Sequence, residues 1–294
     1  MDLEQKAIER LKMASEMSLT YYEQPLIITT SGGKDSDVCL ELAKRAGIPY
    51  EVMHNHTTAD APQTVYHVRQ QFQKLELEGV KCSRTSPRYK GHPTSMWSLI
   101  VQKLMPPTRV MRYCCTVLKE GGGAGRLITT GVRWAESVNR KSNRGIYEKT
   151  EKGHPEIMLM NDNDDARRIF EDCRLKAKRI CNPIVDWTDS DVWGYIQSEH
   201  IEINPLYSCG FNRVGCIGCP MAGNKRYFEF RMFPAYERMY RRAFEKMIQA
   251  RAAKNIDKSW KTADEVFRWW MGEDPNQMTF DDVSNIELGE EVDK

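Results

Sequence analysis

The run Ser31-Gly32-Gly33-Lys34-Asp35-Ser36 follows the apolar stretch Leu26-Ile27-Ile28, and residues of these types in this order suit the binding of an oxyanion. Gly32 and Gly33 let the backbone approach a bound anion closely, and a helix opening after them presents free N–H groups and the positive end of its dipole. Ser31 and Ser36 add hydroxyl donors, while Lys34 either touches a phosphate or faces solvent. Asp35 suits an N-cap or a ligand for a phosphate-bound Mg²⁺. The Gly-x4-Gly-Lys-Ser/Thr spacing of a Walker A loop is absent. An ordinary glycine turn between a strand and a helix is the bland alternative.

The second reactive group is sulfur. Cys114 and Cys115 are adjacent, and Cys216-Ile217-Gly218-Cys219 follows far downstream. Four thiolates suit a [4Fe–4S] cluster or a structural zinc, and the spacing does not choose between them. Cys209 lies near the second pair and suits an alternative ligand, a sulfur carrier or a buried small residue. Cys173 and Cys181 are close enough in sequence for a redox pair, and Cys39 falls on the apolar face of a helix. Arg133 and Arg140 offer forked donors to phosphate or sulfate, with Glu136 placed to orient them and Gly131 just ahead. His54 and His56 precede Thr57, Thr58 and Asp60 at the end of another strand; the histidine pair alone is a weak metal signal.

The elements that must position these groups alternate in type. Helical spacing covers Glu4 to Ser18, a strand Leu26 to Thr29, a helix Asp35 to Ala46, a strand Tyr50 to His54 and a helix Ala61 to Leu77. Another helix covers Thr94 to Leu104, a strand Arg126 to Thr130 delivers Gly131 and Arg133, Lys178 to Ile184 is a short extended piece, and Ser190 to His200 is helical. This pattern predicts an α/β fold with a doubly wound, mostly parallel sheet and ligands beyond the carboxyl ends of its strands. The polar segment from Ser137 to Arg168 is expected as a mobile insertion over the site. After Pro220 the chain turns helical, over Lys225 to Ala253 with a break at Pro234 and over Ala263 to Met271. Aromatics from Tyr227 to Phe244 interleave with arginines there; they are expected to pack a helix against a core, with nucleic-acid stacking as the rival. The expected domains are therefore 1–220 and a helical extension, 221–294.

The Ser31–Ser36 motif resembles the SGGxDS loop of the PP-loop ATP pyrophosphatase superfamily, of the adenine nucleotide α-hydrolase-like fold, whose members split ATP between the α and β phosphates. With Cys-Cys and a distant Cys-x-x-Cys, the chain is similar to the phosphoadenosine-phosphosulfate (PAPS) and adenylylsulfate (APS) reductase family over roughly Leu26 to Pro220. Gly131-Val132-Arg133-Trp134-Ala135-Glu136-Ser137 with Arg140, Asn182-Pro183-Ile184, Trp187-Thr188, Asp191-Val192-Trp193, Asn204-Pro205-Leu206-Tyr207 and Gly210 to Pro220 carry the resemblance further. It implies that Cys114, Cys115, Cys216 and Cys219 hold a [4Fe–4S] cluster beside the nucleotide. It also implies that Thr57, Thr58 and Asp60 approach the adenosine, and that Lys119 neutralises the cluster or binds an anion. Reductases of the family carry a further nucleophilic cysteine near the C-terminus, and here no cysteine follows Cys219.

Charge is nearly balanced over 294 residues, 43 basic against 41 acidic, but its distribution is uneven. From Lys81 to Lys149 there are 14 Lys or Arg against three Glu, whereas Met271 to Lys294 holds eight Asp or Glu and one Lys. The basic middle suits an anionic ligand larger than one nucleotide, or is a solvated face. Nine cysteines without a signal peptide lead us to expect a reduced, cytoplasmic protein, and no apolar run is long enough to span a membrane. The expected activity is an ATP-dependent sulfur transfer in which an acceptor is adenylated with Mg²⁺ and pyrophosphate leaves. Asp35, Lys119 and Arg133 are the expected catalytic groups; Ser31 to Ser36, Thr57, Thr58, Asp60, Gly131, Arg133, Glu136 and Arg140 are the expected nucleotide contacts. Expected partners are a nucleic-acid acceptor and a cysteine desulfurase or another thiol or electron donor, with the oligomeric state open. The alternatives are reduction of APS or PAPS with an external thiol, and a non-catalytic nucleotide-binding module of a larger complex.

Overall fold

The computed structural model of the chain describes residues 2–151, 154–160, 178–256 and 259–273. They fall into two compact units, Met1–Pro93 with Cys115–Cys216 and Thr94–Cys114 with Ile217–Lys294. The strands are β1 (Leu26–Thr30), β2 (Tyr50–Asn55), β3 (Cys82–Thr85), β4 (Arg88–Tyr89), β5 (His92–Pro93), β6 (Leu127–Thr129), β7 (Tyr147–Glu151), β8 (His154–Leu159) and β9 (Lys178–Cys181). The helices are α1 (Leu3–Tyr22), α2 (Lys34–Ala46), α3 (Pro62–Leu77), α4 (Met96–Lys103), α5 (Tyr113–Leu118), α6 (Val138–Asn143), α7 (Asp189–Ser198), α8 (Lys225–Met232), α9 (Pro234–Ala253) and α10 (Ala263–Met271).

The first unit is built on a seven-stranded sheet in the order β3-β2-β1-β6-β9-β7-β8. Its five members from β3 to β9 pair in parallel, and β7 and β8 add an antiparallel edge. Side chains alternate across a strand, so Leu26 and Ile28 enter one core with Leu11, Met17, Val38 and Leu42 of the helices. Ile27 points the other way, onto Met53 and Ile128. Both faces of β1 are thus buried, which is why it reads as a continuous apolar run rather than an alternating one. From β1 the chain leads outward through α2 to β2, while β6 lies on the opposite side of β1. The order therefore reverses between β1 and β6, and the crevice at their carboxyl ends is where an open α/β sheet binds its ligands.

Two features of the organisation lie outside what the sequence pattern anticipates. The segment 137–168, expected as a mobile insertion, supplies α6, β7 and β8 wherever it is described. Ile146, Tyr147 and Leu159 sink into the main core, and the Tyr147 hydroxyl donates to the Arg10 carbonyl. A few apolar residues suffice for such a strand pair in an otherwise polar stretch. The domain boundary also differs, because Thr94–Cys114 belongs with the helices after Cys216. In that second unit Trp97 meets the ring of Tyr240 edge-on at 4.8 Å, and the Trp270 indole donates to the Pro107 carbonyl at 2.6 Å.

Of the aromatics expected to pack a core, Phe230, Tyr240 and Phe244 are buried, joined by Phe267 and Trp270 of α10, while Tyr227 is exposed. Pro234 breaks the helix, since the residue before a proline is driven out of the helical region and Phe233 sits at φ −129°, ψ 64°. Among the described residues no helix is long and apolar enough to cross a membrane.

Candidate functional site

The Ser31-Gly32-Gly33 turn leaves β1 and opens α2, as its composition predicts. Gly32 lies in the left-handed region at φ +71°, and a Cβ there would stand 2.8 Å from Thr64 Cγ2 on α3. The turn is held from inside. Ser36 Oγ donates to the Gly33 carbonyl at 2.7 Å and accepts from the Ser31 N–H at 3.2 Å. The Lys34 N–H donates to the Tyr207 hydroxyl at 3.0 Å, and Asn204 Nδ2 donates to the Gly32 carbonyl at 2.9 Å. Asn204 and Tyr207 lie in the Asn-Pro-Leu-Tyr phrase, but only the folded chain shows that this phrase clamps the loop.

Lys34 does not face solvent. It is buried, with Nζ 2.9 Å from Asp189 and 3.2 Å from Asp35. Arg133 is equally buried; its Nε donates to Asp35 at 2.6 Å and its Nη2 to Asp189 at 3.0 Å. Two cations thus face two carboxylates, a neutral knot beneath the turn. Asp189 is held in place by the capping box of α7, in which Thr188 accepts from the Asp191 N–H and Asp191 accepts from the Thr188 N–H. Burial acts to raise the Asp189 carboxyl, but hydrogen bonding and charge from Lys34, then from Arg133, leave it below its ordinary value. Gly131 lets the two segments meet, because a Cβ there would stand 2.8 Å from the Asp35 carbonyl carbon.

The Arg133 fork bonds Asp35 and Asp189, an arrangement that ties both side chains to the start of α2. Lys34 and Arg133 both stand on the Asp35 carboxylate, and their charges would oppose a dication there. Glu136 accepts from the Arg133 backbone N–H at 3.1 Å and pairs with Arg140. Asp189 is the participant that sequence reasoning missed, and its only signal was its place in the first turn of a capped helix.

Beyond the end of β2, Thr57, Thr58 and Asp60 form a tight turn. The Thr57 N–H donates to Asp60 Oδ2 at 2.9 Å, and Thr58 sits at φ +64°. Cys216 approaches this turn, its Sγ donating to Thr57 Oγ1 at 3.4 Å while its backbone bridges Asp60. Donor atoms of His54, His56 and Asp60 all lie within 4.8 Å of one another. Burial lowers the His56 pKa, with Asp60 opposing and His54 reinforcing that shift.

Lys119 is delivered to the same edge by Asn55, whose Nδ2 donates to the Lys119 carbonyl at 2.7 Å. Cys115 and Cys216 belong to the first unit, and Cys114 and Cys219 to the second. Among the described residues none of the four is joined in a disulfide, and ligation uses the thiolate. Cys209 is exposed, which removes its reading as a buried small residue. Cys39 is buried core, as expected. Cys181 is buried and its thiol is pushed up to about 12, chiefly by burial, so it is inert; Cys173 lies outside the described residues.

Asp37, one turn into α2, is buried against His67 Nε2 at 2.9 Å and Gln71 Nε2 at 2.8 Å. Burial raises its carboxyl above the ordinary 3.8, against the lowering influence of His67 and Gln71. The folded state therefore keeps this proton to higher pH than the unfolded chain, and stability falls as pH rises from 3.8 toward the raised value. Asp37→Asn should remove that slope and gain stability relative to the unsubstituted chain as pH rises. Urea midpoints measured at mildly acidic and neutral pH check this, and parallel pH profiles would refute it.

A glycine turn at a helix N-terminus, set at the reversal point of a mostly parallel sheet, defines an α/β nucleotide-binding protein of the PP-loop class. Residues 25–222 match the phosphoadenosine phosphosulfate reductase domain, and the chain belongs to that family. A protein of Methanocaldococcus jannaschii is 29% identical over 76% of this chain, and the chain spans 48% of that relative's length. An adenosine 5'-phosphosulfate reductase of Bacillus cereus is 21% identical over 68% of this chain and 75% of its own. Subunit 2 of the sulfate adenylyltransferase of Allorhizobium ampelinum is 26% identical over 63% of this chain and 58% of its own.

Proposed function

We propose that the chain binds ATP over the Ser31–Ser36 turn and transfers its adenylyl group to an acceptor, in support of iron–sulfur-dependent sulfur transfer. The observation that carries this reading is the pinned turn: Gly32 has no room for a side chain, and Tyr207, Asn204 and the Lys34–Asp35–Arg133–Asp189 knot hold the start of α2 fixed. In the reaction an acceptor oxygen forms a bond to the α phosphorus, and the bond from that phosphorus to the bridging oxygen breaks. Pyrophosphate leaves with the electron pair, and the acceptor proton passes to solvent. The barrier is one of charge spread over phosphoryl oxygens, and N–H groups preorganised at a helix start stabilise such charge without reorganising.

The thiols of Cys114, Cys115, Cys216 and Cys219 suit a [4Fe–4S] cluster, which when bound supplies sulfur binding or electrons. Cys216 is further held by Thr57 and the Asp60 bridge. Anaerobically purified protein should be brown with about four irons per chain, and Cys216→Ser or Cys219→Ser should bleach it. Colourless protein carrying stoichiometric zinc would remove the cluster from this account. A nucleic acid is the acceptor we favour, because Arg84 on β3, Arg88 on β4 and Lys90 between β4 and β5 are all exposed. The sulfur donor would then be a cysteine desulfurase or another thiol.

A second reading, reduction of APS or PAPS by way of a thiol, is favoured by the exposure of Cys209. The two separate in one experiment: pyrophosphate from ATP with nucleic acid supports adenylation, while sulfite from APS or PAPS with thioredoxin supports reduction. Sulfite formation abolished by Cys209→Ser would make Cys209 the nucleophile and overturn the first reading.

A further inference from the structure

We propose that His54, His56 and Asp60 form a binding site for one divalent transition-metal ion of the zinc class, separate from the four-cysteine set. Two imidazoles and a carboxylate make a known catalytic-type donor set, which leaves a further position for water or an oxygen of a bound anion.

The geometry favours an ion over a simple polar contact. His56 Nδ1 stands 3.6 Å from Asp60 Oδ2, beyond hydrogen-bond reach. Ligand atoms around a tetrahedral zinc lie about 3.3 Å apart, as follows from bond lengths near 2.0–2.1 Å. All three groups already have donor atoms within 4.8 Å of one another, so small rotamer adjustments bring them to that spacing.

Two of the three donors, His54 and Asp60, are also oriented by a second group. His54 Nδ1 lies 2.9 Å from the Thr30 carbonyl; a carbonyl only accepts, so the proton sits on Nδ1 and the lone pair on Nε2. That is the usual outer-shell arrangement of a metal-bound histidine. Asp60 is turned by the Thr57 N–H at 2.9 Å, and the turn that returns it toward the histidines passes through Thr58 in the left-handed region. A β-branched residue held at positive φ is a strain that the surroundings must enforce, and such strain gathers where a site is shaped.

The position gives the ion a use. His54 is paired in register with Thr30, the last residue of β1, so the ion would sit one residue from the start of the Ser31 turn. A dication there would draw an anionic oxygen into the crevice. Such a site depends on neither the cluster nor the choice between ATP and a sulfonucleotide.

The test uses the full chain, stripped of metal with a chelator under reducing conditions and titrated with Zn²⁺ and with Co²⁺. Unsubstituted protein should take up one more equivalent than His56→Ala or Asp60→Asn. The Co²⁺ bound in that extra equivalent should show d–d absorption without the charge-transfer band of a thiolate. Loss of one ligand should weaken this equivalent at least about tenfold, since even outer-shell losses cost 10–100-fold. Equal uptake by all three proteins, or thiolate charge transfer in the extra equivalent, would overturn the proposal. Should a variant not fold, the imidazole resonances of His54 and His56 in the unsubstituted protein decide: both should shift as Zn²⁺ is added, and unmoved resonances would equally overturn it.

Discussion

Gly32→Ala should lose both stability and nucleotide affinity, whereas Gly33→Ala, one residue on, should keep nearly all of its stability. The two glycines look alike in the sequence but not in the fold. At Gly32 the backbone sits at φ +71°, and a new Cβ would lie 2.8 Å from Thr64 Cγ2 and 3.0 Å from Val68 Cγ2. Both the left-handed conformation and the overlap resist a side chain, and together they should cost about 2–4 kcal/mol. Relief would come from moving the turn away from α3, which breaks the Asn204 bond to the Gly32 carbonyl and displaces the start of α2. At Gly33 the backbone is extended, φ −107°, and a Cβ would meet Ser31 Oγ at 3.4 Å and Tyr207 Oη at 3.5 Å, ordinary contacts. Urea melts and titration calorimetry with ATP measure both quantities. Equal behaviour of the two variants would show that the turn is not shaped by its contact with α3.

The parts of this site that were legible are those written locally. An apolar run followed by Ser-Gly-Gly announces a strand, a turn and a helix, because strand burial, glycine backbone freedom and a helix start are each properties of a few neighbouring residues. The environments of Lys34 and Arg133 were not legible. Lys34 is buried by Asp189 and by the ring of Trp193, whose centroid is 5.9 Å from its Nζ, and both arrive from far along the chain. Arginine at 133 suits a phosphate on residue type alone, and only the fold shows its fork spent on Asp35 and Asp189. Distance in sequence also hid the assignment of 94–114 to the second unit, which depends on contacts from Trp97 to Tyr240 and from Trp270 to Pro107. The β7–β8 pair was hidden for another reason: its buried apolar residues Ile146, Tyr147 and Leu159 are outweighed by polar neighbours, one of which, Glu148, is itself buried on its bonds to Arg144 and Asn182.

Arg133→Met should destabilise the chain and weaken ATP binding at least about tenfold, the loss expected when a group that fixes a site is removed. The long apolar side chain preserves much of the volume but leaves Asp35 and Asp189 facing Lys34 alone. Breaking a fully buried pair costs about 3–5 kcal/mol; the cost here should be smaller, because the Asp189 side chain is 65% exposed and water can take up part of its charge. Arg133→Lys should rescue little, since an ammonium cannot bond both carboxylates and the Trp187 carbonyl at once as the fork does. Whether Arg133 positions the turn or touches the nucleotide is separated by a second substitution. If it positions, the damage in Arg133→Met comes largely from the orphaned Asp35, and adding Asp35→Asn should restore much of both stability and affinity. If it touches phosphate, adding Asp35→Asn cannot replace the lost donor and affinity stays low. A double-mutant cycle read by urea melts and ATP titration therefore decides the role. Full persistence of the affinity loss in the double variant would return Arg133 to the anion-binding role that its residue type first suggested.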